Sequence, residues 1–193
     1  MEPTFVSEQI VTLSEFITWL SHDRGPGKRE LIGGRIIVNP PAGWPHGSVG
    51  TRLLYRLEEW AQRTTAGIVL DSSAGYLLPT GDLVEPDVSF ISRGRWETGP
   101  QPAAGEHLRI VADLMVEILS TNRQRDLVEK RALYEASGVR EYWLPDADAR
   151  SVIVFRRAGS AFAAPETLGP AASLRTDVLP GFELVVGDLF KSP

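Results

Sequence analysis

A chain of 193 residues, 42% hydrophobic and 23% charged, has the size and make-up of one globular domain with a substantial core. The lack of cysteine excludes a disulfide framework and a thiolate zinc site, and no apolar run approaches the roughly 20 residues that cross a bilayer. The net charge of −5 argues against tight nucleic-acid binding by the lone domain, because phosphate contacts ordinarily come from a basic surplus. Met1-Glu2-Pro3-Thr4 shows no basic stretch leading into a hydrophobic one, so no signal peptide is expected, and the predicted location is cytoplasmic.

Thr12 with Glu15 forms a capping box, and Phe16, Trp19 and Leu20 follow at helical spacing, predicting a helix that stops at Asp23 to Gly27. Glu30-Leu31-Ile32 and Arg35-Ile36-Ile37-Val38 flank Gly33-Gly34, the pattern of a hairpin with a two-residue turn. From His46 to about Arg63, Val49, Leu53, Leu54, Leu57, Trp60 and Ala61 recur at steps of three and four, predicting an amphipathic helix. Short strands are expected at Ile68–Leu70 and Tyr76–Leu78, then a longer one over Val84 to Ile91. Arg93 to Glu106 is rich in Gly, Pro and charge and reads as a surface loop. A strand over Leu114 to Leu119, a helix over Asp126 to Ser137 ended by Gly138, and a strand at Glu141–Leu144 form a βαβ crossover, which implies a parallel pair. Strands at Ser151–Arg157 and Phe182–Val186 complete an α/β fold: a single domain over residues 1–193, core about 13–190, with a central mixed β-sheet flanked by helices.

Two of these strands carry an acid inside a run of apolar, β-forming residues: Asp87 after Pro86, and Glu117 after Val116. Burying a carboxylate costs several kcal/mol unless it is paired or binds a metal. Two such acids suit Mg²⁺ or Mn²⁺, which take hard oxygen ligands and complete their octahedra with water and phosphate. The structural alternative is a strand-end acid paired with an arginine. Lys130 stands out because the chain has three lysines against 17 arginines, and this one sits in mid-helix. A compact ammonium suits a point contact with a phosphate oxygen or an attacking water, which a planar guanidinium replaces poorly. Its bland role is an i,i+4 pair with Asp126 on a solvated helix face. The three histidines show no HxH or HExxH spacing, Ser120 lacks a G-x-S-x-G context, and no Gly-rich phosphate loop is present.

The ordered motifs resemble a family. Arg29-Glu30-Leu31-Ile32-Gly33-Gly34-Arg35, Pro45-His46-Gly47, Glu85-Pro86-Asp87-Val88, Val116-Glu117-Ile118-Leu119-Ser120, Glu129 to Tyr134, Gly138 to Leu144 and Leu179-Pro180-Gly181-Phe182 are similar, in that order, to segments of Uma2-type proteins, which are of the PD-(D/E)XK nuclease superfamily. The resemblance covers about Leu13 to Phe190. It implies a restriction-endonuclease-like fold, a Mg²⁺-type metal held by Asp87 and Glu117, a DNA substrate, and a homodimer. It also implies that the lysine usually found two residues after the acid, where this chain has Leu119, comes from the next helix as Lys130. The family's Asp-Gly-Glu hairpin is Gly33-Gly34-Arg35 here, and its Ser-Pro-Ser after the acidic strand is Ser120-Thr121-Asn122.

Two further candidates follow from the same motifs. Glu30 offers a third carboxylate across the cleft or a salt bridge at an exposed strand edge. His46 offers a contact to metal, phosphate or water, or a helix cap. Arg93, Arg95, Arg123 and Arg125 flank the acidic strands as weaker phosphate contacts. Trp44, Trp60 and Trp143 read as core or dimer contacts in preference to base-stacking platforms. The expected function is therefore a Mg²⁺-dependent endonuclease. The alternatives are an inactive nuclease-fold dimer serving as a binding module, and a hydrolase of another phosphate ester.

Overall fold

A computed structural model describes residues 5–23, 25–119 and 123–191. The order is β1 (Phe5–Val6), α1 (Leu13–His22), β2 (Lys28–Ile32), β3 (Arg35–Asn39), α2 (His46–Thr64), β4 (Gly67–Asp71), β5 (Tyr76–Leu77), β6 (Leu83–Val84), β7 (Val88–Ser92), α3 (Arg93–Thr98) and β8 (Leu114–Val116). There follow a π-helical segment (Arg125–Lys130), α4 (Arg131–Ser137), β9 (Glu141–Asp146), β10 (Ser151–Ala158), β11 (Ala161–Phe162), β12 (Glu166–Leu168), β13 (Ser173–Leu174), β14 (Leu184–Val185) and a 3₁₀ turn (Val186–Phe190). No helix among the described residues is long and apolar enough to cross a membrane.

Local sequence chemistry accounts for several of these elements. The Thr12 side chain accepts from the Glu15 N–H at 3.3 Å while Glu15 accepts from the Thr12 N–H at 2.7 Å, the reciprocal capping box that starts α1. Gly33 and Gly34 take φ of 59° and 75°, so the two-residue turn is of the kind that needs glycine, and β2 and β3 pair from Lys28↔Asn39 to Ile32↔Arg35. Gly138 ends α4 in the left-handed conformation.

One sheet has the order β1-β3-β2-β6-β5 and a second β11-β10-β9-β8-β7-β4, with β12 also on β10. The second sheet is mixed: β8 and β9 are parallel, as the crossover implies, and its other pairs are antiparallel. Alternation along its strands divides the core. Val88, Phe90, Leu114, Val116 and Trp143 face α2 with Val49, Leu53, Leu57 and Trp60, while Ile91, Met115, Tyr142 and Leu144 pack with Leu133 and Tyr134 of α4. A third cluster, Phe16 with Leu31, Ile36 and Leu83, seats α1 on the first sheet.

Three expectations are corrected. Val84 to Ile91 is not one strand: β6 belongs to the first sheet and β7 to the second, and Glu85-Pro86-Asp87 turns the corner between them. A proline lacks the N–H that a continuous central strand would need, which is the physical reason for the break. Arg93 to Glu106 is not all loop, since α3 occupies its first six residues. The helix expected from Asp126 begins one residue earlier and in π geometry, becoming α-helical at Arg131.

Candidate metal and phosphate site

The site grows from strand register. Val88 pairs with Val116 across the antiparallel β7–β8 ladder, so the next residues outward, Asp87 and Glu117, stand opposite each other on one face. Directly opposed residues have Cβ atoms about 5 Å apart. Past the strand ends, the Asp87 N–H donates to Val116 O at 3.0 Å, and the Glu117 N–H extends the β8–β9 ladder by donating to Trp143 O at 3.1 Å. By alternation this is the face covered by α4, which explains how a residue just ahead of that helix reaches it.

Lys130 does so. Its Nζ lies 2.8 Å from Glu117 Oε1 and 2.8 Å from Glu30 Oε1, and the side chain is 5% exposed. The Tyr134 hydroxyl donates to the same Glu117 oxygen at 2.7 Å. The solvated-face role for Lys130, paired with Asp126, is thus overturned: its ion pairs are with Glu117 and Glu30. Glu30 is likewise no exposed edge residue. It is fully buried in β2, which lies between β3 and β6, and it accepts from the Glu85 N–H at 3.0 Å and from Asn39 Nδ2 at 3.0 Å.

Asp87 is gripped from the other side. His46 opens α2 and puts Nε2 3.0 Å from Asp87 Oδ2, and the Ile118 N–H donates to that oxygen at 2.7 Å. His46 therefore does not serve as a side-chain cap of α2. The ammonium of Lys28 contacts Asp87 Oδ1 and also donates to Glu85 O at 2.9 Å. Lys28, just after the Asp23 to Gly27 breaker, is not among the candidates named from the sequence. The signal was the one that singled out Lys130: two of the chain's three lysines meet in this cleft.

Of the four flanking arginines, Arg125 lines the cleft, with Nη1 2.8 Å from Asn39 Oδ1. Arg95 instead binds buried Asp113 at 3.2 Å, Arg123 pairs with Asp146, and Arg93 borders a separate shallow depression. The cleft holds about 780 Å³. Ser120, Thr121 and Asn122, where the family motif is altered, lie outside the described residues.

Electrostatics sharpen this picture. Burial would raise the Asp87 carboxyl, but the His46 hydrogen bond and the Lys28 charge hold it well below the usual carboxylate range. Burial pushes Glu117 up to about 7 against the pull of Lys130. Burial works against the Lys130 ammonium, yet Glu117, Glu30 and Asp126 outweigh it and hold its pKa above the ordinary lysine value. Burial, then Glu117, lifts the Tyr134 hydroxyl far above its ordinary range, so it remains a donor. Asp126, also lining the cleft, is raised by burial to about 6. Four carboxyl groups, Glu30, Asp87, Glu117 and Asp126, thus stand against three fixed cations, Lys28, Arg125 and Lys130, a balance that a divalent cation would reverse. Among the described residues no three His, Asp or Glu side chains are arranged for ligation. The donors nonetheless fit Mg²⁺ or Mn²⁺, which bind through one or two carboxylates and fill the remaining positions with water and phosphate.

A mixed sheet with helices on both faces and paired acids at adjacent strand ends, backed by a lysine, defines a restriction-endonuclease-like protein. The chain belongs to the Uma2 family, described as "Putative restriction endonuclease", whose family model matches residues 13–187. It is also similar to a solved structure described as a "putative nuclease belonging to DUF820" from Anabaena variabilis ATCC 29413, with a TM-score of 0.74 at 22% identity over 93% of this chain and 97% of that one. At that identity the likeness shows the fold. No curated protein matches the chain significantly.

The Asp126 environment sets an expectation for stability against pH. With its carboxyl raised to about 6, the folded protein keeps a proton that the unfolded chain releases near pH 4, so stability falls as pH rises through that window. Asp126→Asn should therefore gain on wild type progressively from pH 4 to pH 7, reaching roughly 2–3 kcal/mol in metal-free buffer. Paired thermal melts across that range check it, and a pH-independent difference would refute it.

Proposed function

We propose that this protein, acting as one domain over about residues 13–190, is a Mg²⁺- or Mn²⁺-dependent endonuclease that hydrolyses phosphodiester bonds in DNA. The observation that carries the reading is that Asp87 and Glu117, each one residue beyond the paired Val88 and Val116, share one cleft with buried Lys130. When bound, the cation supplies polarisation of the scissile phosphate and a water of lowered pKa. Asp87 and Glu117 would hold it. His46 and the Ile118 N–H fix the Asp87 carboxylate, and Glu30 and Tyr134 fix the lysine and Glu117 respectively. Lys130 hydrogen-bonds Glu117 and ion-pairs with Glu30, and its ammonium would orient the attacking water or stabilise charge growing on a phosphate oxygen. Lys28, 24% exposed at the cleft, would offer a second point charge to a non-bridging oxygen.

Each part of this reading has its own measurement. Asp87→Ala and Glu117→Ala should abolish saturable Mn²⁺ binding in calorimetry and metal-dependent plasmid nicking while retaining the fold by circular dichroism. Unchanged metal affinity in both variants would sink the ligand assignment.

Lys130→Arg keeps charge but displaces the point donor. Nicking should drop by about 10²-fold or more while Mn²⁺ affinity stays near wild type, since lysine is not a ligand. Equal rates would remove Lys130 from the chemistry, and no cleavage of any DNA form by wild type would favour a binding module.

The homodimer belongs to the same proposal. Phe5 and Val6 of edge strand β1, with Ile10 and Ile17 near them in sequence, are exposed at 46%, 41%, 72% and 42%. Apolar groups at an open sheet edge favour pairing, and twofold dimers are the commonest assembly. Light scattering at micromolar concentration should give twice the chain mass, and a clean monomer would refute it.

A further inference from the structure

One wall of the cleft differs in chemistry from its floor. Between Asn39 at the end of β3 and His46 at the start of α2, the six residues Pro40 to Pro45 carry no charge and all line the cleft. Trp44 in this wall is 78% exposed, more than any other large apolar side chain among the described residues. Trp60 and Trp143, by contrast, are 2% and 0% exposed, so those two are core residues, while Trp44 is not in the core and the subunit-contact half of its expectation stays open to test. An indole left in water forgoes the stabilisation that burial gives its siblings. Pro40, Pro41 and Pro45 restrict φ at three of the six positions of this segment.

The same cleft is lined by Lys28 and His46, which grip Asp87, and by Arg125. A ligand that satisfies both surfaces needs an anionic phosphate and, one sugar away, a flat uncharged ring free of other stacking partners. An unpaired nucleotide has this shape and charge. A base in an intact duplex does not, because its faces are already covered by its neighbours. The net charge of −5 points the same way: a protein without a basic surplus draws less affinity from phosphates, and stacking on an aromatic ring supplies affinity of another kind.

We propose that Trp44 is a stacking platform for an unpaired nucleobase beside the phosphate held in the cleft, making single-stranded or locally unpaired DNA the preferred substrate class. This rests on the nuclease reading and narrows it.

The test uses the full chain with Ca²⁺ as a non-cleaving cation. Fluorescence anisotropy compares a labelled 12-nucleotide oligothymidylate with an abasic strand of equal length and charge, for wild type, Trp44→Phe and Trp44→Ala. Wild type should favour the base-bearing strand by roughly tenfold or more. Trp44→Ala should erase that preference and Trp44→Phe should keep part of it, with melting temperature and Mn²⁺ affinity unchanged in both. A preference that survives in Trp44→Ala, or is absent from wild type, overturns the proposal. So does a change from dimer to monomer in Trp44→Ala by light scattering, which would make the indole a subunit contact. Metal-dependent nicking by wild type, measured alongside, separates the two readings. If nicking persists while base preference ignores Trp44, the stacking idea alone fails. If wild type neither nicks nor binds either strand, the nuclease reading fails with it.

Discussion

The ion pair that Lys130 makes with two glutamates is the constraint on which the site depends. Glu30 belongs to the first sheet and Glu117 to the end of a strand in the second, and one ammonium lies 2.8 Å from both. Taking three charges out of water costs several kcal/mol per ion, and well-packed apolar groups of similar volume generally do as well or better for stability. The surroundings could house such groups, since Met115, Tyr134 and Tyr142 nearby are fully buried. An arrangement that is a poor source of stability, yet is supported by Tyr134 and the Glu85 and Asn39 donors, is better understood as positioning charge for a task. The same bond carries a structural consequence: it holds the two sheets in register at the corner where Asp87 sits.

That corner shows how far sequence reasoning reaches. The capping box at Thr12, the glycine turn at Gly33-Gly34, the three- and four-residue apolar rhythm of α2 and the parallel β8–β9 crossover each rest on chemistry within a short window, and each is present in the structure. The acids Asp87 and Glu117 were visible for the same reason, as polar residues interrupting apolar runs. What was hidden is set by partners distant in the chain. Val84 and Val88 look like one strand because both are buried β-formers, yet their hydrogen-bond partners lie in different sheets. Lys28 looks like part of a flexible turn because the residue that holds it is 59 positions away. Arg95 looked like a phosphate contact because nothing local reveals that Asp113 claims it.

The acidic composition, read alone, counted against a nucleic-acid enzyme. The geometry recasts it, because net charge averages over a surface while the cleft is a local balance. Lys28, Arg125 and Lys130 concentrate positive charge at one place, and the four carboxyls around them outnumber it by one, a balance that a divalent cation would reverse. On the proposed reading, a bound divalent cation would turn this balance positive, so affinity for polyanions would follow the metal and not a permanently basic face. The cleft also has an uncharged wall, Pro40 to Pro45, in which the Trp44 indole is exposed.

The π-helical segment explains why Lys130 and Arg125 can serve the same cleft. In an α-helix residues five apart point about 140° away from each other, so one of the pair would face solvent. In π geometry the hydrogen bonds run from residue i to i+5, which brings such residues onto a common face. The burial pattern follows: Arg125, Asp126 and Lys130 are 9%, 8% and 4% exposed, while Val128 between them is 56% exposed. Regular α geometry resumes at Arg131, just past the last residue that must face the cleft. A π turn is less favourable than the helix it interrupts, and such turns recur at functional sites. Here its cost falls where the carboxylates of two sheets need one cation between them and a guanidinium beside them, and a strict 3.6-residue rhythm could deliver the first but not the second.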